Sequence, residues 1–206
     1  MQLKINLLHA ICIMALGLMT TNNIQAQQQR FFGGIKAGMN FAQIDGDGVF
    51  GFNKFAYNAG FMGGFRLKKI TELQIEMLYS LRGSRYGKND PPLTKFSLHY
   101  LEIPVIFCVK DWLNEEGETP YYRMQFQGGF SFGRLINSSS YSGDDQYFKK
   151  NDLSWIGGIN YYYTRNWAVS ARYTSSLTPI YRYIKNGQSI KMISYFISLG
   201  LNYRFN

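Results

Sequence analysis

Apolar and polar positions alternate with a period of two along most of the chain, and the alternation is longest at the C-terminus. From 193 to 205 one parity reads Ile193, Tyr195, Ile197, Leu199, Leu201, Tyr203 and Phe205. The other reads Ser194, Phe196, Ser198, Gly200, Asn202 and Arg204. One side of that strand is wholly apolar; the other is small or polar except for Phe196. A tilted membrane strand needs about 9–11 residues, and this run is longer. The pattern predicts strands near 31–44, 55–67, 71–83, 97–109, 120–134, 152–163, 166–177 and 191–205. Their apolar parities include Ile35, Ala37, Met39 and Phe41 in the first, and Leu73, Ile75, Met77, Tyr79 and Leu81 in the third. Short connections (68–70 and 164–166) alternate with longer ones rich in Gly, Asn, Asp, Ser and Pro (45–54, 84–96, 135–151 and 178–190). That alternation is the rule for membrane barrels, with short turns on the periplasmic side. The expected fold is therefore all-β: a transmembrane antiparallel β-barrel of about eight strands, up-and-down. Segment 110–119 is long for a periplasmic turn. Pro104 falls inside the fourth strand, where the missing N–H predicts a bulge or a locally absent hydrogen bond.

Composition changes this picture little. The 206 residues suit one domain, and mean hydropathy is −0.22. Beyond the first twenty residues no apolar run reaches the roughly 18 that a membrane helix needs. Aromatic residues make up 17% and gather at strand ends on the apolar parity. Tyr121, Tyr122, Tyr161, Tyr163, Trp167, Tyr203 and Phe205 fall toward one end; Phe41, Phe55, Tyr57, Tyr79, Trp155 and Tyr195 fall toward the other. Amphipathic rings favour the headgroup level, so two belts are expected.

The N-terminus has the layout of an export signal. Lys4 is the positive start, Leu7 to Met19 the apolar stretch, and Ile24-Gln25-Ala26 the cleavage site before Gln27. Residues 1–26 are thus expected to be a signal peptide and 27–206 the outer-membrane barrel domain. Cys12 lies inside the apolar stretch without a lipoprotein context, and Cys108 is the one cysteine left after cleavage, so no internal disulfide can form. Cleavage removes one lysine and no acid, taking the formal charge from +9 to +8. For an exported chain, positive charge suits outer-membrane lipid, lipopolysaccharide or surface polymers; nucleic acid is not an expected partner.

Candidate chemistry is sparse. His99 is the one histidine after residue 26, and its parity puts it with Ser97 on the apolar side, while Glu102 points the other way. A serine–histidine–carboxylate site is not expected, and no catalytic residue is assigned. Asp45-Gly46-Asp47-Gly48 lacks the further ligands of a calcium loop, so neither a metal nor a cofactor is expected. The glycine doublets at 33–34, 63–64, 128–129 and 157–158 lie inside strands, where they relieve curvature and leave room for long side chains. The inward parity is the richer constellation: Lys36, Arg66, Arg82, Arg123, Arg172 and Arg204 against Glu72, Glu76 and Glu102. Charges in so narrow an interior must pair, which predicts a salt-bridged plug. A narrow gated anion path is the alternative.

Three stretches resemble the PorT-like family of outer-membrane β-barrel proteins of Bacteroidetes. They are Gly34-Ile35-Lys36-Ala37-Gly38-Met39-Asn40-Phe41, Tyr100-Leu101-Glu102-Ile103-Pro104-Val105, and Ser198-Leu199-Gly200-Leu201-Asn202-Tyr203-Arg204-Phe205. The likeness spans essentially residues 31–206. It implies an outer-membrane barrel of the cell envelope, and the family's founder works in protein secretion and gliding-related export. Fold-level likeness does not transfer that role. Two readings follow. The first is a non-enzymatic barrel with a structural or surface-interaction role. The second is a component of a secretion or transport assembly, with envelope proteins as partners. Leu199, Leu201, Tyr203 and Phe205 also resemble the C-terminal signal read by barrel-assembly machinery. Intact-mass measurement of the protein purified from its membrane is expected to give a chain beginning at Gln27; one retaining Met1 to Ala26 would overturn the export reading.

Overall fold

The computed structural model describes residues 30–87, 96–116, 119–140, 143 and 147–205. The expected signal peptide lies outside these residues. Among the described residues nine strands follow in order: β1 Phe31–Asp45, β2 Lys54–Arg66, β3 Thr71–Ser84, β4 Phe96–Asn114, β5 Tyr121–Ser140, β6 Asn151–Tyr162, β7 Trp167–Ser176, β8 Tyr181–Lys185 and β9 Gln188–Phe205. Each pairs antiparallel with its neighbour, in the order β1-β2-β3-β4-β5-β6-β7-β9, and β1 pairs again with β9 to close the sheet. The closing seam runs from Gly33 opposite Phe205 to Asp45 opposite Ile193. The barrel wall therefore has eight strands, while β8 pairs only with the first residues of β9.

Period-two alternation becomes two surfaces. In β4, Leu101, Ile103, Val105, Phe107 and Val109 point outward and are exposed, whereas Tyr100, Glu102, Ile106 and Cys108 are buried. Every barrel strand contributes to this apolar outer band. In water, so large a continuous patch would drive aggregation; in lipid it is at home. Aromatic rings rim the band. At the long-loop end Trp155, Tyr173, Tyr195 and Phe52 form a chain of ring contacts, with Tyr57 and Tyr79 beside it. At the short-turn end Trp167 lies 4.8 Å from Tyr203, which touches Phe205.

Two expectations need correction, and at Pro104 the second of the two expected outcomes, a locally absent hydrogen bond, is the one found. Segment 110–119 opens as strand rather than turn, with β4 running on to Asn114. The β4–β5 ladder continues through Asp111–Met124, Leu113–Tyr122 and Asn114–Tyr121, past the last β3 partner of β4 (Thr71 with Val109). The hairpin therefore projects beyond the barrel rim. Segment 178–190 is not a plain loop: Asn186 and Gly187, both at positive φ (51° and 75°), join β8 to β9. Two such residues make a type I′ turn, for which Asn-Gly is the strongest short signal. The Pro104 region keeps its parity. The β3–β4 ladder skips Glu76 and Met77 opposite Pro104 and Ile103 without changing register, as a residue with no N–H to give requires. The bulge sits instead between His99 and Tyr100, against β5.

Gly83 marks the outer end of β3. Its φ is +141°, and a Cβ there would come within 2.0 Å of the Phe96 carbonyl oxygen. β3 and β4 approach so closely at this point only because no side chain intervenes. Gly83→Ala is expected to destabilise the barrel by about 1–3 kcal/mol, measured as a lower urea midpoint in lipid vesicles.

Candidate functional site

The interior is filled in four levels from the short-turn end to the long-loop end. At the lowest, Glu72 is fully buried. Its Oε1 receives Lys110 Nζ at 2.8 Å and Arg66 Nε at 3.7 Å, and its Oε2 receives Arg204 Nη2 and Gln125 Nε2, each at 3.0 Å. Arg204 lies between rings, 4.2 Å from the centroid of Phe32 and 4.9 Å from that of Tyr162. Phe32 has room because the residue facing it is Gly64, where a Cβ would meet the ring at 2.0 Å.

The second level centres on Glu76. Arg172 grips it with two parallel bonds of 2.7 and 2.8 Å, Gln74 donates at 2.6 Å, and Lys36 Nζ lies 3.8 Å away. A fork-to-fork pair of this kind is the strongest geometry open to a carboxylate. Above it a neutral cluster spans the barrel. Asn58 and Ser198 donate to Asn40 Oδ1 at 2.5 and 2.7 Å, and Asn40 Nδ2 reaches Ser80 Oγ at 3.1 Å. Beside these amides is a cavity of about 10 Å³ bordered by Lys36, Glu102, Arg172 and Phe196. It has room for a single water.

The third level belongs to Arg82, which is fully buried. It bonds Glu102 Oε1 at 2.8 Å and Asp152 Oδ2 at 2.7 Å, with Ser154 also donating to Asp152 at 2.8 Å. Its guanidinium lies 4.3 Å from the ring centroid of Tyr100 and 4.9 Å from that of Phe196. This accounts for Phe196, the one aromatic residue on the polar parity of β9: it faces a cation. The fourth level is apolar. Ile44, Phe96, Leu98, Tyr100, Phe148, Ile180 and Met192 form one buried cluster, with Leu135, Tyr181 and Tyr183 packed against it. Phe148 and Ile180 come from the long connections, which fold across the mouth through Lys149 N–H to Ile180 C=O (2.8 Å) and Ile180 N–H to Met192 C=O (2.9 Å).

The residues expected to share the lumen divide as follows. Lys36, Glu76 and Arg172 meet at one level, Arg66 and Arg204 meet at Glu72, and Glu102 joins Arg82. Arg123 is not among them. It stays at the rim, bonded to Asn114 at 3.0 Å and 3.6 Å from the exposed Glu116, because the β4–β5 ladder carries it beyond the closed wall. Asp152 and Lys110 belong to the network without having been picked out. Both hold inward parity, but Lys110 lies past the end expected for its strand. Arg134, near Asp152, reaches only Asn151 at the surface.

Neither alternative chemistry assembles. His99 bonds Tyr79 on the outer surface of the wall, Ser97 Oγ accepts from Lys54 at 2.6 Å, and Glu102 lies inside with Arg82. Asp47 Oδ1 caps its own turn by accepting from Val49 N–H at 2.8 Å. Among the described residues no three His, Cys, Asp or Glu side chains converge as metal ligands would, and Cys108 is a buried free thiol.

Solved barrels of similar form include the attachment invasion locus protein Ail of Yersinia pestis, with a TM-score of 0.47 at 15% identity over 84% of this chain and 98% of that one. Neisserial surface protein A gives 0.43 at 14%, over 85% and 97%. OprG from Pseudomonas aeruginosa gives 0.42 at 12%, over 85% and 94%. No curated protein matches the sequence. The model of the outer membrane protein β-barrel domain matches residues 25–182, most of the chain and seven of its eight wall strands. The chain belongs to that family, and its place is the outer membrane.

Proposed function

We propose that this is a non-enzymatic barrel of the PorT-like type, exported by its N-terminal segment, that serves as a rigid support for surface contacts made by its outer loops. The observation that carries this reading is the filled lumen. Three levels of paired charge and one apolar cluster occupy the axis from rim to mouth, and an eight-stranded barrel leaves no more than the space its own side chains fill. A standing pore has no room. The parts left accessible are the two rims and the loops. The outward stripe Leu199, Leu201, Tyr203 and Phe205 is the surface offered to barrel-assembly machinery.

A role within a secretion or transport assembly is the second reading. It is favoured by the β4–β5 hairpin, which projects past the periplasmic rim and carries Trp112 at φ 57° with 56% of its surface exposed. Its ring meets Tyr161 and the Arg123 guanidinium, and the rest of it is open to a partner.

Two measurements test the plug. Glu76→Ala leaves Arg172 and Lys36 without their shared carboxylate, and Glu102→Ala removes one of the two carboxylates on Arg82. Each is expected to cost roughly 3–5 kcal/mol in urea unfolding from lipid vesicles, against near zero for the exposed Glu115→Ala. Ile103→Lys, facing lipid one residue from Glu102, should cost about 2–4 kcal/mol. In planar bilayers the wild-type protein should give no unitary conductance. If Glu102→Ala leaves stability intact and opens a steady conductance, the charges form a gate and the transport reading takes over.

A further inference from the structure

The cavity of about 10 Å³ lies where the Glu76 and Arg82 levels meet, and side chains of both line it. Lys36 reaches it from β1 with 2% of its side chain exposed. Its ammonium stands 3.8 Å from Glu76 Oε1, beyond hydrogen-bond range. That oxygen already accepts from Arg172 Nη2 and from Gln74 Nε2. Among the described residues Lys36 Nζ has no hydrogen-bond partner. Arg172, also on the cavity wall, turns both Nη groups to Glu76 and Gln127, and its Nε lacks an acceptor too. A buried donor left so carries the full cost of its lost hydration, and folded chains seldom leave one.

Acceptors stand on the other side of the same cavity. Both bonds from Arg82 to Glu102 fall on Oε1, which leaves Oε2 for the cavity. The Ser198 hydroxyl donates to Asn40 Oδ1, so its own lone pairs are available. Two donors thus face two acceptors across a space of one molecule. Charge selects a neutral occupant. Lys36, Arg82 and Arg172 are matched by Glu76, Glu102 and Asp152, and an ion among them would add a buried charge without a partner. Size selects the smallest one, since the volume is that of a single water.

We propose that the cavity binds one long-lived water, which accepts from Lys36 Nζ and Arg172 Nε and donates to Glu102 Oε2 and Ser198 Oγ. The inference rests on the filled lumen of the reading above. The water serves as a strut: it joins β1, β7 and β9 to β4, which shares no ladder with the other three. Through it the Glu76 and Arg82 levels become one network, and the Lys36 ammonium gains the acceptor that Glu76 does not supply.

The test is proton-detected solid-state NMR of the full mature protein, labelled with ¹⁵N, in deuterated phosphocholine bilayers. The Lys36 Nζ and Arg172 Nε resonances are expected to show cross peaks to water. These should persist when a soluble gadolinium chelate quenches the exposed turn at Lys68 and Lys69. Lys36→Met, which keeps the length of the side chain and removes its donors, should weaken the Arg172 Nε cross peak about tenfold, the loss of one charged hydrogen bond to the water. Glu102→Gln retains an acceptor oxygen and should keep the cross peaks, so a variant that fails to fold does not decide the matter. Absence of the water cross peak at Lys36 Nζ in a chelate-resistant, non-conducting wild type overturns the bound water alone. So does a shift of that resonance when chloride in the buffer is replaced by bromide, which would put an ion in the cavity. Quenching of Lys36 Nζ by the chelate together with conductance would mean an open lumen, and sinks the surface-support reading itself.

Discussion

The fold depends on one constraint: charge taken out of water into an interior an eight-stranded wall makes too narrow for solvent. Isolated there, each ion would carry a penalty of several kcal/mol. The chain meets this with carboxylates that serve as hubs. Glu72 and Glu76 from β3, Glu102 from β4 and Asp152 from β6 each face cations brought from other strands. The pairs therefore act as struts across the barrel. Arg172 on β7 reaches Glu76 on β3, and Arg204 on β9 reaches Glu72 on the same strand. No backbone ladder joins those strands. A one-residue slip of any of them would turn its charge into lipid and leave its partner alone inside. The ion pairs thus specify the register that the uniform apolar outer face leaves open.

Filling the lumen with struts has a functional consequence. On the reading proposed above, a barrel braced in this way gives up transport through its axis, and the apolar cluster lies over the mouth. Activity is left to what the wall supports. At the outer end that is a hairpin with one face pinned by stacked tyrosines and the other free. At the short-turn end it is a hairpin running past the rim. In both places a β-ladder extends beyond the lipid band and presents side chains without the freedom of a loop.

The wall was legible because its rule is local. Alternation and a switch of composition at each turn place eight strands between Phe31 and Phe205, six of them to within three residues. Strands β4 and β5 run five and six residues past their expected ends, β5 into the segment 135–151 expected as loop. What escaped was set by pairing rather than by pattern. Strand β4 continues to Asn114 because Tyr121 and Tyr122 stand opposite to receive it, and polar Asp111 and Asn114 conceal this. Parity brought Lys36, Glu76 and Arg172 to one side of the sheet, but only closure decides which cations meet which carboxylate, so Asp152 could not be matched to Arg82 from spacing. The Asn186-Gly187 turn was readable as a hairpin signal and lay hidden in a segment short on apolar residues. Arg123 shows the limit of parity: it has inward phase, yet beyond the rim there is no inside.

The distribution of charge along the axis follows water access. In the upper and middle levels Lys36, Arg82 and Arg172 are matched one for one by Glu76, Glu102 and Asp152, all deeply buried. At the lowest level Arg66, Lys110 and Arg204 share Glu72 alone, and there the side chains of Arg66 and Lys110 keep 32% and 13% of their surface exposed. Around Glu72 the excess cation thus includes side chains that solvent can reach. The same logic holds outside the wall, where Arg182, Lys185 and Lys191 stand exposed on the β8–β9 hairpin. Among the described residues, the positive excess inside the wall thus gathers at its lowest level, where Arg66, Lys110 and Arg204 share Glu72.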